Sequence, residues 1–175
     1  MTRHALPAAA LLLLLAAPGA QAQEAPSALD RLLIKDACTE QLQTYREGLD
    51  RTDPAKIWPV FTPDGVWSAD DNLVVRGQAD IRKMWEGIAA NPRPSVGVHA
   101  LSNIRFEVTD AASATGTALV TMYRYDPAAR DRIESLAPTM LIRIEMRCVS
   151  TPQGWRFDRM SLHSVSVAGY RHGEG

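Results

Sequence analysis

A chain of 175 residues with a formal net charge of −1 and a hydrophobic share of 46% has the composition of a globular domain, which excludes disordered, collagen-like and coiled-coil classes. The near-neutral balance, without a cluster of Lys or Arg, argues against a nucleic-acid partner. Two cysteines are too few for a disulfide-dense scaffold or a four-thiolate zinc centre, and no metal is expected.

Arg3 and His4 open the chain, Ala5 to Ala17 is apolar, Pro18-Gly19 breaks the run, and Ala20-Gln21-Ala22 supplies a small-x-small pattern. The run is shorter than the roughly 20 apolar residues a membrane span needs. Residues 1–22 therefore read as a cleaved signal peptide and residues 23–175 as one domain with a flexible C-terminal tail. The expected location is periplasmic or secreted, with no membrane attachment after cleavage. In such an oxidising compartment Cys38 and Cys148 are either bridged or two buried free thiols, and the sequence leaves both open.

From Ser27 onward Leu29, Leu32/Leu33, Cys38, Leu42, Tyr45 and Leu49 recur at helical spacing. Ser27 with Asp30 three residues on forms a capping-box start, and the helix is expected to end near Gly48–Asp50. Asp53-Pro54 begins a short second helix carrying Ile57, Trp58, Val60 and Phe61. Pro63-Asp64-Gly65 reads as a turn before a short strand at Val66-Trp67-Ser68, and Asn72 to Arg76 as a weaker strand. Gln78 to Ala90 is a third helix, stopped by Asn91-Pro92.

Beyond Pro94 the period changes to two. Strands are expected at Val98–Val108, Ala114–Tyr125, Thr139–Val149 and Trp155–Val167, with a longer loop around residues 126–134. Strict alternation in the first of these puts Ile104, Phe106 and Val108 on one face and His99, Leu101, Asn103 and Arg105 on the other. Helices first and strands later give an α+β class: a curved antiparallel or mixed sheet wrapped around the long N-terminal helix, enclosing a pocket on its concave side.

No phosphate-binding glycine loop, G-x-S-x-G elbow or H-E-x-x-H motif occurs, and no cofactor is expected. His172 lies in the polar tail, so His99 is the imidazole of interest, on a face mixed enough to line a semi-polar cavity. Asp50 stands at a helix C-terminus, where a carboxylate opposes the helix dipole and is tolerated if a cation lies near.

Tyr45-x-x-x-x-Asp50-Arg51-x-Asp53, Phe61-Thr62-Pro63-Asp64-Gly65-Val66-Trp67, Arg76-Gly77-x-x-x-Ile81, His99-x-x-x-Asn103 and Gly154-Trp155-Arg156-Phe157-x-Arg159 together resemble the SnoaL-like branch of the nuclear transport factor 2-like superfamily, over about residues 27 to 165. The resemblance implies a cone-shaped α+β barrel with one pocket and a homodimer through the outer sheet face. It also implies an Asp–His general base, as in the superfamily's scytalone dehydratase and hexachlorocyclohexane dehydrochlorinase, with Asp50 and His99 at the matching positions. Tyr45 stands where the dehydrochlorinase has a Lys and Met160 where it has a pocket Arg, which disfavours dechlorination.

Two readings of function follow. One is a cofactor-independent lyase, dehydratase or isomerase acting on a small, largely apolar molecule, with His99 as base, Asp50 as its orienting partner and Tyr45 as donor to a substrate oxygen. The other is a periplasmic binding or assembly module in which Asp50 and His99 satisfy each other structurally. Trp67 and Tyr123 are pocket wall or core, Asn103 a pocket donor or a strand-edge bond, and Arg159 an anion clamp or an ion-pair partner.

Overall fold

The computed structural model describes residues 25–70, 72–91, 95–125 and 137–167. The signal-peptide reading, the loop around residues 126–134 and the tail with His172 lie outside the described residues.

Helix α1 (Ala28–Arg51) starts at the expected capping box: Asp30 N–H donates to the Ser27 side chain, and Asp30 accepts from the Ser27 backbone N–H. It runs to Arg51, slightly beyond expectation, and stops where Thr52 turns left-handed at φ +52. Its buried stripe is Ile34, Cys38, Leu42, Tyr45 and Gly48. Leu29, Leu32 and Leu33, expected on that stripe, are exposed. The stripe thus begins at Ile34, one residue out of phase with Leu29 and Leu33.

Helix α2 (Pro54–Ile57) is capped by the Asp53 carboxylate, which accepts from Ala55 N–H at 3.0 Å, and continues as a 3₁₀ turn through Val60. The chain can pack back this tightly because Gly48 has no side chain: a Cβ there would lie 2.6 Å from Ile57 Cγ1. Strand β1 (Phe61–Ala69), strand β2 (Leu73–Arg76) and helix α3 (Gln78–Ala90) follow, then the long strands β3 (Val96–Asp110), β4 (Ser113–Tyr125), β5 (Pro138–Thr151) and β6 (Gly154–Val167).

Pro63-Asp64-Gly65 is not a turn before β1 but an excursion inside it. Phe61 pairs with Phe157 and the next paired residue, Val66, with Arg159, so the intervening β1 residues loop out of a continuing strand. Gly65 makes that possible, since a Cβ there would meet the Phe157 carbonyl at 3.1 Å and the Thr62 carbonyl at 3.0 Å.

One six-stranded sheet results, in the order β2-β1-β6-β5-β4-β3. The β3 to β6 portion is the expected meander; β1 joins β6 in parallel, which makes the sheet mixed. The sheet is curved and open, with β2 and β3 as edges, so it does not close into a barrel. Helix α1 lies on the inner face. There Ile34, Cys38, Leu42 and Tyr45 pack with Phe61, Trp67, Phe106, Val120, Ile144, Met146, Phe157 and Met160. Cys38 and Cys148 are joined as a disulfide, Cα atoms 6.1 Å apart, which ties α1 to β5 within this core.

Strand β3 departs from strict alternation. Ser102 pairs with Leu119 and Arg105 with Thr117, so Asn103 and Ile104 together oppose Ala118: a β-bulge, with Asn103 left-handed at φ +52. Asn tolerates this conformation because its short polar side chain bonds locally. The extra residue shifts the pleat by one. His99 and Leu101 before the bulge therefore share the inner face with Ile104, Phe106 and Val108 after it, where strict alternation had set them on opposite faces.

Candidate active site

The last turn of α1 and the first residues of β3 meet at one end of the sheet. His99 Nδ1 lies 2.7 Å from Asp50 Oδ1, and the His99 backbone N–H donates to the same oxygen at 2.9 Å. A carboxylate only accepts, so Nδ1 carries the hydrogen, and in the neutral ring Nε2 presents its lone pair. Asp50 is held from its other side: Arg46 Nη1 donates to Oδ2 at 2.6 Å, while Arg46 Nε donates to Gln43 Oε1 at 3.1 Å. Arg46 is thus the cation that makes a carboxylate tolerable at this helix C-terminus, one turn back on the same helix. The Asp50 and His99 side chains are 18% and 15% exposed, shielded but open on one side.

That side is a cavity of about 490 Å³ whose walls include Leu49, Asp50, Trp85, Ile88, Ser95, Gly97, His99 and Arg124. Gly97 keeps the wall low beside the imidazole; a Cβ there would touch His99 Cε1 at 3.6 Å. No hydrogen bond to His99 Nε2 occurs among the described residues. Trp85 forms part of the floor, and its buried indole Nε1–H has no hydrogen-bond partner among the described residues.

Tyr45 and Trp67 lie deeper. Tyr45 is buried, and its Oη accepts a 2.9 Å hydrogen bond from Trp67 Nε1. Its ring meets Phe61 and Trp85 edge-on. Burial pushes the phenol's pKa well above its ordinary value near 10, against a smaller lowering by the Trp67 bond. Neither Tyr45 nor Trp67 is in the wall of the cavity beside His99; Trp85 separates them from it.

The remaining sequence candidates are not brought to this cavity. Asn103 is exposed at the bulge. Tyr123 pairs with Val98 and alternates away from Met122, which is buried on the inner face. Arg159 is on the outer face of the sheet, in a separate concavity of about 680 Å³ with Arg105, Glu107, Glu145, Arg147, Asp158 and His163. The bulge accounts for Asn103. Arg159 reaches the outer face because β6 shifts register between Phe157 and Arg159, pairing them with Cys148 and Arg147.

Two residues of the site, Arg46 and Arg124, escaped sequence reading. Arg46 was one helical turn from Asp50, a spacing that signals an i,i+4 ion pair. Arg124 alternates onto the same face as Met122, and Met122 pairs with His99.

A family model described as a SnoaL-like domain matches residues 30–161. Among curated proteins no sequence matches significantly. Solved structures do. A putative scytalone dehydratase from Novosphingobium aromaticivorans superposes with a TM-score of 0.66 at 18% identity, over 80% of this chain and 89% of that one. Hexachlorocyclohexane dehydrochlorinase LinA-type3 from Novosphingobium barchaimii gives 0.66 at 16% identity, over 85% and 100%. A protein of unknown function from Mycobacterium tuberculosis gives 0.65 at 20%, over 81% and 78%. At these identities the likeness carries the fold.

Proposed function

The chain belongs to the SnoaL-like family of the nuclear transport factor 2-like fold, and we propose that it is an exported, cofactor-independent lyase, dehydratase or isomerase acting on a small organic molecule. The observation that carries the reading is the imidazole at the cavity wall: Nδ1 is fixed by Asp50 and Nε2 has no protein partner among the described residues.

In the proposed reaction the Nε2 lone pair takes a proton from a carbon next to a carbonyl or next to the carbon that bears a leaving group. The C–H electron pair becomes the new π bond, and the leaving group departs with its own pair or the carbonyl oxygen gains the charge. Asp50 then faces an imidazolium, which its carboxylate stabilises. Arg46 holds the carboxylate in line, and Trp85, Ile88 and Leu49 supply the apolar wall. A base so placed contributes about 10²–10⁴-fold in rate. The names of two proteins of the same fold, a putative scytalone dehydratase and a hexachlorocyclohexane dehydrochlorinase, support this class. Tyr45, whose oxygen already accepts from Trp67, takes a supporting rather than a substrate-binding place in the proposal.

A second reading, a non-catalytic binding or assembly module, is favoured by one observation: the deep interior is filled by Tyr45, Phe61, Trp67 and Phe157, and the open space beside His99 lies at the end of the sheet. A panel of small alcohols, ketones and lactones followed by proton exchange and product formation in deuterated buffer, with the wild type and His99→Ala side by side, separates the two. Turnover lost by at least about 10²-fold with unchanged melting supports the base. No turnover by the wild type, together with a large stability loss in His99→Ala, leaves the module.

Export to the periplasm or medium is supported by the pattern of residues 1–22 and suits the Cys38–Cys148 bridge. Cell fractionation tests it. A homodimer through the outer sheet face is supported by its exposed, mixed-sign row of Arg105, Glu107, Glu145 and Arg147, and sedimentation velocity tests it.

A further inference from the structure

We infer that Arg124 is an anion clamp in the cavity beside His99 and that the molecule taken there carries a carboxylate. This rests on the proposed base only for the identity of the site, since binding is read without turnover.

The placement follows from register. His99 pairs with Met122 and Gly97 with Arg124, so His99 and Arg124 are diagonal neighbours on the inner face of an antiparallel pair. Diagonal partners stand about 7–8 Å apart. A long Arg side chain spans that gap, so its guanidinium and the imidazole can both reach one small molecule. Among the described residues the guanidinium is poorly satisfied. Among the described residues its contacts are Ser95 Oγ at 3.5 Å and Met122 Sδ at 3.9 Å, and no carboxylate pairs with it. A half-buried Arg normally finds an acidic partner. The acidic side chain in this cavity wall, Asp50, is already held by Arg46 and His99.

The wall chemistry selects the rest of the ligand. Trp85 and Ile88 offer an apolar surface. A compact planar or branched acid places its carboxylate on Arg124 and its body against Trp85. This narrows the expected largely apolar molecule to an organic monoanion.

Benzoate and its neutral near-isostere benzamide are the probes, titrated by calorimetry into the full folded chain. The wild type is expected to bind benzoate at least about tenfold more tightly, the ratio one charge-assisted hydrogen bond supplies. Arg124→Gln is expected to abolish that ratio while leaving benzamide affinity unchanged, and Arg124→Lys to keep part of it. Equal affinities in the wild type overturn the clamp, as does an undiminished preference in Arg124→Gln. Should Arg124→Gln not fold, the wild-type ratio and Arg124→Lys decide alone. A benzoate preference that depends on Arg124, in a chain without turnover, would refute the catalytic reading and keep this one. Turnover with no such preference would do the reverse.

Discussion

Opening the Cys38–Cys148 bridge should cost this protein a large part of its stability. The two partners are 110 residues apart, on α1 and β5, and both are fully buried. For a loop of that length the chain-entropy relation gives about 16 cal/mol/K, or about 4.8 kcal/mol at 25 °C. Whole-domain stabilities run from about 5 to 15 kcal/mol, so the loss takes between a third and nearly all of it. The assay is urea unfolding followed by tryptophan fluorescence, comparing oxidised chain, reduced chain and the Cys38→Ala/Cys148→Ala variant. The reduced chain should lose about 4–5 kcal/mol and melt roughly 10–20 °C lower. Its denaturant slope should rise, because an unlinked unfolded chain exposes more surface. The alanine pair should lose somewhat more, since it also removes buried sulfur. A loss below about 1 kcal/mol with an unchanged slope would refute the reasoning, by showing that the bridge does not constrain the unfolded state.

Gly116 lies under Phe106, and a Cβ there would overlap the ring edge. Gly116→Ala should therefore cost about 1–3 kcal/mol in the same unfolding assay, and Phe106→Leu in the same chain should recover part of it. Tyr45→Phe leaves the buried Trp67 indole N–H without its acceptor, a loss of about 1–3 kcal/mol visible as a lower melting temperature. The raised pKa of Tyr45 means that its contribution is complete below the ordinary phenol value near 10 and is lost as pH climbs toward the higher folded value. Stability measured above pH 10 should accordingly fall more steeply in the wild type than in Tyr45→Phe. On the acid side, bonds from the Ser164 backbone N–H and hydroxyl hold Asp70 below the usual carboxylate range. Its contribution is present above that range and disappears as pH drops through the depressed value. In hydrogen exchange the Ser164 amide should lose protection in Asp70→Ala and, for the wild type, with acidification.

Local signals carried the helical half of the chain. The Ser27/Asp30 box and the Asp53-Pro54 start are set by capping chemistry within a few residues, the span Gln78–Ala90 by the Gly77 and Asn91 that flank it, and the structure has each of them. The phase of α1 was less legible, because Leu29 and Leu33 satisfy helical spacing as well as Ile34 does, and only the reach of the sheet decides which are covered. The β1 excursion was missed because Pro63-Asp64-Gly65 has turn chemistry; nothing local says that the strand resumes in line with β6. At the site, the meeting of Asp50 with His99 was legible through the family resemblance alone, since no local rule links residues 49 apart. Arg124 needed the pairing of β3 with β4, a register that a sequence without its partner strand does not contain.

The bulge at Asn103 makes the length of β3, more than its chemistry, the thing that governs the site. Because facing direction alternates residue by residue, a chain one residue shorter there leaves a forced choice: either the imidazole turns to bulk water or Phe106 leaves the interior. Changing Asn103 to Gly is gentle by comparison, since glycine adopts φ +52 freely. Loss of a single codon at this point would thus turn either His99 or Phe106 to the wrong face, a change of direction that an exchange at Asn103 itself does not impose.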